Sequence, residues 1–269
     1  MAGPYVQTSA VALSVPYDDS TAIPALEATN VQAAIDQIKK PTLFTLMEDF
    51  AGGINGTGSG VDLGSGFISR VSGGTVDSYP SSGNTSIGAR QFNTGITTTG
   101  RAGAILGGNN VDTIVNGTGV IFNGGSVYFR TRIVINSMSV LLDRFQIRFG
   151  LGNTVSSDPA VGVYFEYDDT QSLNWRIKTA AGGVRTTTNT ASIVGLSYTI
   201  FSALVNPTGT SVTFYINDIS VGTITTNIPT NIGFGSCTPF FSIIKSTGTT
   251  TKFLVADYFY IRNSYILDR

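Results

Sequence analysis

The densest set of reactive groups in the chain is Glu166-Tyr167-Asp168-Asp169, with Glu166 in a strand pattern and the two Asp residues in a turn. Glycoside hydrolysis needs two carboxyl groups roughly 5–10 Å apart. Asp clusters in loops can instead supply oxygen ligands to calcium, and the plainest reading of this cluster is a solvated turn. Asp143, Asp158, Asp218 and Asp257 stand singly near turns or strand ends and read as structural. The absence of histidine excludes a Ser-His-Asp triad, a Cys-His dyad and any His-ligated zinc. The single cysteine, Cys237, excludes a thiolate metal cluster and an intrachain disulfide, and its place before an apolar run reads as a buried thiol. No Gly-rich phosphate loop leads into a helix bearing Lys-Ser/Thr. No catalytic residue, metal or cofactor is expected.

Recognition chemistry is the remaining possibility. Trp175 is the only tryptophan, set among Asn174, Arg176 and Lys178. It is either a core ring or a platform for a sugar face, and the second reading makes Trp175, Tyr167, Asp168 and Asp169 candidate glycan contacts. Tyr164, Tyr167, Tyr258 and Tyr260 are candidate exposed aromatics by alternation. Arg130, Arg132 and Arg148 project from strands, either to solvate a sheet or to pair with acids across a subunit interface.

The elements that must position these groups are strands. Val127, Phe129, Thr131, Ile133 and Ile135 share one face, and Tyr128, Arg130, Arg132 and Val134 the other. This period of two is that of a half-buried antiparallel strand. Phe145–Phe149 alternates likewise, with Gln146 and Arg148 outward. Val161–Tyr167, Asn174–Lys178, Tyr198–Val205, Val212–Ile216, Ile219–Ile224, Pro239–Lys245 and Lys252–Arg262 are further strands. Asn217-Asp218 predicts a tight hairpin, because both residues tolerate positive φ. Many short strands between turn signals predict a sandwich of two antiparallel sheets. Residues 51–125 read as long loops with edge strands such as Gly66–Val71 and Ala89–Asn93.

The part before the strands has a different character. Residues 1–24, with Pro4, Pro16 and Pro24, read as an extended arm with no core of its own. Residues 25–41 read as a short helix and its stop: Thr29 and Gln32 fit a capping box, Lys39 and Lys40 oppose the helix dipole, and Pro41 ends it. Val31, Ala34, Ile35 and Ile38 share one face. A helix of about ten residues is not stable alone in water. Its stripe therefore packs on its own body, on the same helix of symmetry mates, or on a larger assembly.

Composition narrows the partners. Charged residues make up 12% of the chain and the net charge is −1, which gives no basic footprint for nucleic acid. No window reaches the roughly 18 apolar residues of a membrane span, and the N-terminus lacks the layout of a cleaved signal. Synthesis in a cytosol without membrane insertion is expected.

Two resemblances sharpen these expectations. Asp49-Phe50, Ser126–Arg132, Thr210–Asp218 with Val221-Gly222-Thr223 and Asn227-Ile228-Pro229, and Val255–Ile261 together resemble the concanavalin A-like (laminin G-like) jelly roll. That resemblance implies an all-β sandwich over residues 42–269; the family often has Gly where Asp218 stands. The sandwich hosts lectins, glycosidases and structural modules. Glycosidases of this type carry Glu-x-Asp-x-x-Glu on one strand, and the chain has no such run. Ala28, Asn30, Val31, Gln32, Ala34, Ile35 and Asp36 resemble an anchoring motif found near the N-termini of bacteriophage fibre proteins. It implies a structural virion protein assembled in the host cytoplasm, a homotrimeric fibre. Asn30, Val31, Ala34, Ile35 and Ile38 would serve oligomerisation or anchoring, residues 1–40 would contact other virion proteins, and the jelly roll would face a host-surface glycan. A polysaccharide depolymerase using paired carboxylates, a decorating or adaptor protein without receptor binding, and a cellular sugar-binding module are the alternatives.

Overall fold

The computed structural model describes residues 42–50, 59–63, 66–79, 88–107, 119–120, 122–231 and 236–265. These belong to one compact unit, Pro41–Arg269. The arm expected over residues 1–24 and the helix over residues 25–41, with Asn30, Val31, Ala34, Ile35 and Ile38, lie outside the described residues. In chain order the strands are β1 (Thr42–Glu48), β2 (Phe67–Ser72), β3 (Thr75–Ser78), β4 (Arg90–Asn93), β5 (Arg101–Leu106), β6 (Gly125–Ile135), β7 (Phe145–Gly152) and β8 (Gly162–Asp168). They continue as β9 (Ser172–Ala181), β10 (Val184–Ile193), β11 (Thr199–Val205), β12 (Val212–Ile216), β13 (Ile219–Ile224), β14 (Thr238–Lys245) and β15 (Phe253–Tyr265).

They form two antiparallel sheets. The eight-stranded sheet runs β13-β12-β11-β6-β15-β4-β3, with β1 also paired to β15. The seven-stranded sheet runs β10-β9-β8-β7-β14-β5-β2. The alternation read along Val127–Ile135 is the alternation of burial along β6. Asn217 and Asp218 turn the β12–β13 hairpin at φ 49° and 65°, the left-handed region a two-residue hairpin turn requires. Ala89–Asn93 is not an edge: β4 lies between β15 and β3. Four strands, β1, β3, β5 and β10, had no individual signal. In β5 both faces are covered and the central Ala102-Gly103-Ala104 is small, while β10 is an exposed edge rich in Thr, so neither alternates.

Between the sheets lies an apolar layer dominated by aromatic rings. Phe149 and Phe165 stack at 5.5 Å, Phe201 meets both edge-on at 4.9 and 5.0 Å, and Trp175 meets Phe201 at 4.8 Å. Phe129, stacked on Phe259 at 5.7 Å, links this group to Phe67, Phe92 and Phe241. Burial of each ring contributes about 1.5–3 kcal/mol, and edge-to-face contacts add about 0.5–1.5 kcal/mol per pair. Cys237 sits buried in the same layer, where desolvation pushes its thiol far above the usual range. The outer face of the seven-stranded sheet is covered locally. The β7–β8 connection, residues 153–161, returns across it, and Ser242 Oγ donates to the Val155 carbonyl at 2.6 Å. Gly103 permits this approach, since a Cβ there would stand 2.5 Å from the Phe241 carbonyl and 3.2 Å from Val155 Cβ.

Candidate functional site

Of the four candidate glycan contacts, Trp175 and Tyr167 lie in the core, and Asp168 and Asp169 bond to groups of their own chain. Trp175 and Tyr167 belong to the main core, 3% and 0% exposed. The face of β9 that carries Trp175 is the one turned to the opposite sheet, and Asn174, Arg176 and Lys178 occupy the other face. The rings of Trp175 and Tyr167 pack against Phe201, Phe149 and Phe145. Trp175 does reach the floor of a cleft of about 260 Å³ rimmed by Ile193 and Ile219. Asp168 accepts from Gln146 Nε2 (2.7 Å), Thr170 N (3.0 Å) and Thr170 Oγ1 (2.7 Å), so its carboxylate closes the β8–β9 turn. Asp169 accepts from Ser139 Oγ at 2.6 Å and faces Arg144 at 3.6 Å. Both acids organise loops of their own chain. Among the described residues no cluster of three acids, Cys or His is placed to hold a metal ion.

Glu166 is joined to Asp168 through Arg148 and Gln146, whose side chains bond to each other at 2.9 Å, and gathers further cations of its own. It points to the outer face of the seven-stranded sheet, beneath residues 153–161. Arg148 Nε lies 2.6 Å from its carboxylate, Arg176 Nη1 2.9 Å and Lys178 Nζ 3.2 Å. Asp158, on the covering connection, meets Lys178 Nζ at 2.7 Å, Arg185 Nε at 3.0 Å and Arg148 Nε at 3.2 Å, and accepts from Tyr164 O–H at 2.7 Å. Burial pushes Asp158 up, but Lys178, Arg148 and Tyr164 outweigh it and hold the carboxyl below its ordinary value. Burial, then Asp158, push the Tyr164 hydroxyl well up, so it stays a donor.

Here two carboxylates, Asp158 and Glu166, share Arg148 and Lys178. A glycosidase pair needs one carboxyl that can give up a proton and a path for the glycosidic oxygen. Asp158 is held ionised, and the Glu166 side chain is 2% exposed with three cations around it. The geometry is that of an ion-pair network that fastens residues 153–161 to β7, β8, β9 and β10.

The outer face of the eight-stranded sheet carries partly exposed side chains among the described residues. The register sets Thr45, Arg262, Tyr128, Leu204 and Thr213 side by side across five strands. The next row is Met47, Tyr260, Arg130, Ser202 and Tyr215. Tyr128 and Tyr260 meet edge-to-face, centroids 6.0 Å apart at 63°. With Ser126, Leu204 and Arg262 they line a shallow depression of about 420 Å³. Arg130 forks onto Asp218, with Nη2 3.0 Å from Oδ2, and reaches the Tyr258 and Tyr128 hydroxyls. Arg132 pairs with Asp257 at 2.9 Å and lies 4.2 Å above the Tyr198 ring. Arg130, Arg132 and Arg148 thus find acids within their own chain, and Arg148 belongs to the other sheet. Of the aromatics expected outside, Tyr258 and Tyr260 are half-exposed, whereas Tyr164 and Tyr167 are buried. Tyr128 and Arg262 were not singled out from the sequence. Their signal was there, Tyr and Arg on the polar phase of two strands, but the register that joins them was not.

No protein-family model matches the chain, and no curated protein is similar enough to it to show a family. Among solved structures it is similar to a protein of unknown function from Shewanella oneidensis, at 11% identity and a TM-score of 0.58, covering 90% of this chain and 97% of that one. It is also similar to an endo-1,3-beta-glucanase from Streptomyces sioyaensis, at 12% identity and a TM-score of 0.48, covering 83% and 97%. A botulinum neurotoxin serotype D/C binding domain matches at 14% identity and a TM-score of 0.46, over 75% of this chain and 45% of that one. At such identities the first of these bears on fold alone, and the other two carry no weight for function. The fold is the all-β jelly-roll sandwich expected from the sequence.

Proposed function

We propose that this chain is a structural attachment protein of the bacteriophage-fibre type. Residues 1–40 anchor it, as a homotrimer, to other virion proteins, and the sandwich is a non-catalytic body that faces a host-surface glycan. The observation that carries this reading is the state of the carboxylates. Asp158 and Glu166, which share a site, are consumed by Arg148, Arg176, Lys178 and Arg185, while among the described residues an aromatic and basic depression lies on the other sheet. A second support is polarity of placement. The first described strand begins at Thr42, paired with Tyr265. Of the exposed apolar side chains, Val140, Leu141, Leu142, Leu196 and Ile219 lie in or beside the β6–β7, β10–β11 and β12–β13 connections, at the opposite strand ends, whereas Val184 lies at the β9–β10 turn. Apolar loop residues at strand ends away from Thr42 suit a projecting domain.

The test is the mass of the full chain by light scattering, together with particle incorporation. The expected result is a trimer that enters particles, and loss of both when Val31 and Ile35 are replaced by Asp. A monomeric full chain, or incorporation that survives those replacements, overturns the anchoring part. Release of reducing sugar from host polysaccharide overturns the non-catalytic part.

A further inference from the structure

We propose that the depression on the outer face of the eight-stranded sheet binds a carboxylate-bearing sugar residue, its acid group on Arg262 and its ring against Tyr128 and Tyr260. This rests on the reading that the body faces a glycan, and it names the class of sugar. Among the described residues, Arg130, Arg132 and Arg262 place guanidinium groups on this face. Arg130 is consumed by Asp218 and two tyrosine hydroxyls, and Arg132 by Asp257 and the Tyr198 ring. Arg262 is exposed, and no carboxylate among the described residues lies within ion-pair distance of it. Among the described residues its planar fork is the one uncommitted charge in the depression, and a fork of N–H donors matches a carboxylate in two parallel bonds.

The surroundings select the rest of the ligand. Tyr128 is held by the hydrogen bond from Arg130 to its hydroxyl, and Tyr260 sets its ring at 63° to that of Tyr128. The two rings and Leu204 form an apolar corner next to the guanidinium. A pyranose presents an apolar C–H face and a polar rim, which is the complement of such a corner. Thr45 flanks Arg262 in the register, and Thr213 flanks Leu204. A neutral sugar would leave the guanidinium without its bidentate partner. A nucleic acid would need several uncommitted cations for its phosphates, and the depression offers one.

The test is titration of the full chain, by calorimetry or NMR, with oligogalacturonate and with oligosialic acid. Each is compared with its carboxyl-reduced form, and a phosphate-bearing oligonucleotide serves as a third probe. Binding of at least one acidic oligosaccharide is expected, at least tenfold weaker after carboxyl reduction. Arg262→Gln should weaken it at least tenfold and Tyr128→Ala by a similar factor. Arg262→Lys should restore part of the loss, since an ammonium keeps the charge without the fork. Arg262 is exposed, so folding should be unchanged by near-ultraviolet circular dichroism. No binding of either acidic probe, equal binding of the reduced forms, unchanged binding by Arg262→Gln, or preference for the oligonucleotide overturns the proposal. If neutral glycans or host cells are still bound in those cases, the attachment reading stands and only the acidic-sugar site falls. Loss of all glycan and cell binding removes both.

Discussion

Replacing Glu166 with Gln keeps the side-chain shape and removes the charge on which Arg148, Arg176 and Lys178 converge at 2.6, 2.9 and 3.2 Å. These cations are 7%, 13% and 5% exposed at the side chain, so water does not take the place of the lost carboxylate. Asp158 still answers Arg148 and Lys178, but no ion pair among the described residues joins it to Arg176. Removing one partner of a buried pair costs about 3–5 kcal/mol, because the other charge is left desolvated and unpaired. Partial exposure of Arg176 and the remaining help from Asp158 favour the lower end, about 3 kcal/mol. For a domain of this size each kcal/mol moves the melting temperature by about 2–4 °C, so Glu166→Gln should lower it by roughly 6–12 °C. Urea unfolding of the wild type and the variant measures the loss directly. Asp257→Asn is the control: its partner Arg132 is 30% exposed, and such pairs contribute about 0–1 kcal/mol. A Glu166→Gln protein no less stable than that control would refute the reasoning. A variant that kept its stability but lost hydrolysis of a polysaccharide would move Glu166 from architecture to catalysis.

Two further outcomes follow from the same structure. Burial raises the Asp158 carboxyl, and Lys178, Arg148 and Tyr164 more than reverse it, so its folded value lies below the unfolded one. As pH falls the unfolded chain takes up this proton first, so the Asp158 contribution is whole above the unfolded value of about 3.9 and is lost as pH drops through the folded value. Urea midpoints between pH 6 and 2 should show this decline, and Asp158→Asn should flatten part of it; an unchanged slope counts against the ion pairs. Trp175, the only tryptophan, should fluoresce as a buried ring and resist acrylamide quenching until the chain unfolds. Trp175→Ala should cost about 3–5 kcal/mol, whereas a variant of native stability that bound glycan less well would restore the stacking role.

Most of the sandwich is visible in the sequence, and the reason is burial on one side. Strands such as β6 and β12 face the core with alternate residues, so hydrophobicity carries their phase. β5 and β10 escape for opposite reasons: β5 is covered on both faces, and β10 is covered on almost neither. The same limit explains the site. Alternation puts Tyr128 and Arg262 on the outer phase of their strands, but their adjacency depends on the β6–β15 register, a pairing between distant segments. Trp175 shows the converse. Its polar neighbours suggest an open strand, yet a single ring on the inner phase is enough to place it in the core. Glu166 looks like part of an acidic turn with Asp168 and Asp169, but period two separates it from Asp169 and turns it toward cations on β7 and β9.

The position of β15 bears on how such a protein comes into being. β15 is the last strand described, yet it lies inside the eight-stranded sheet, between β6 on one side and β4 and β1 on the other. During translation all three partners leave the ribosome before the strand that joins them. Until then β1 has no described neighbour, and β6 holds only β11. Pairings between such distant segments form slowly, and open edges meanwhile invite association with other chains. A chain that stops short of β15 loses the middle of a sheet, where a chain missing β10 or β13 would lose an edge. Folding of this sheet thereby waits on the synthesis of β15, so copies that lack it are kept out of any assembly that requires the folded body.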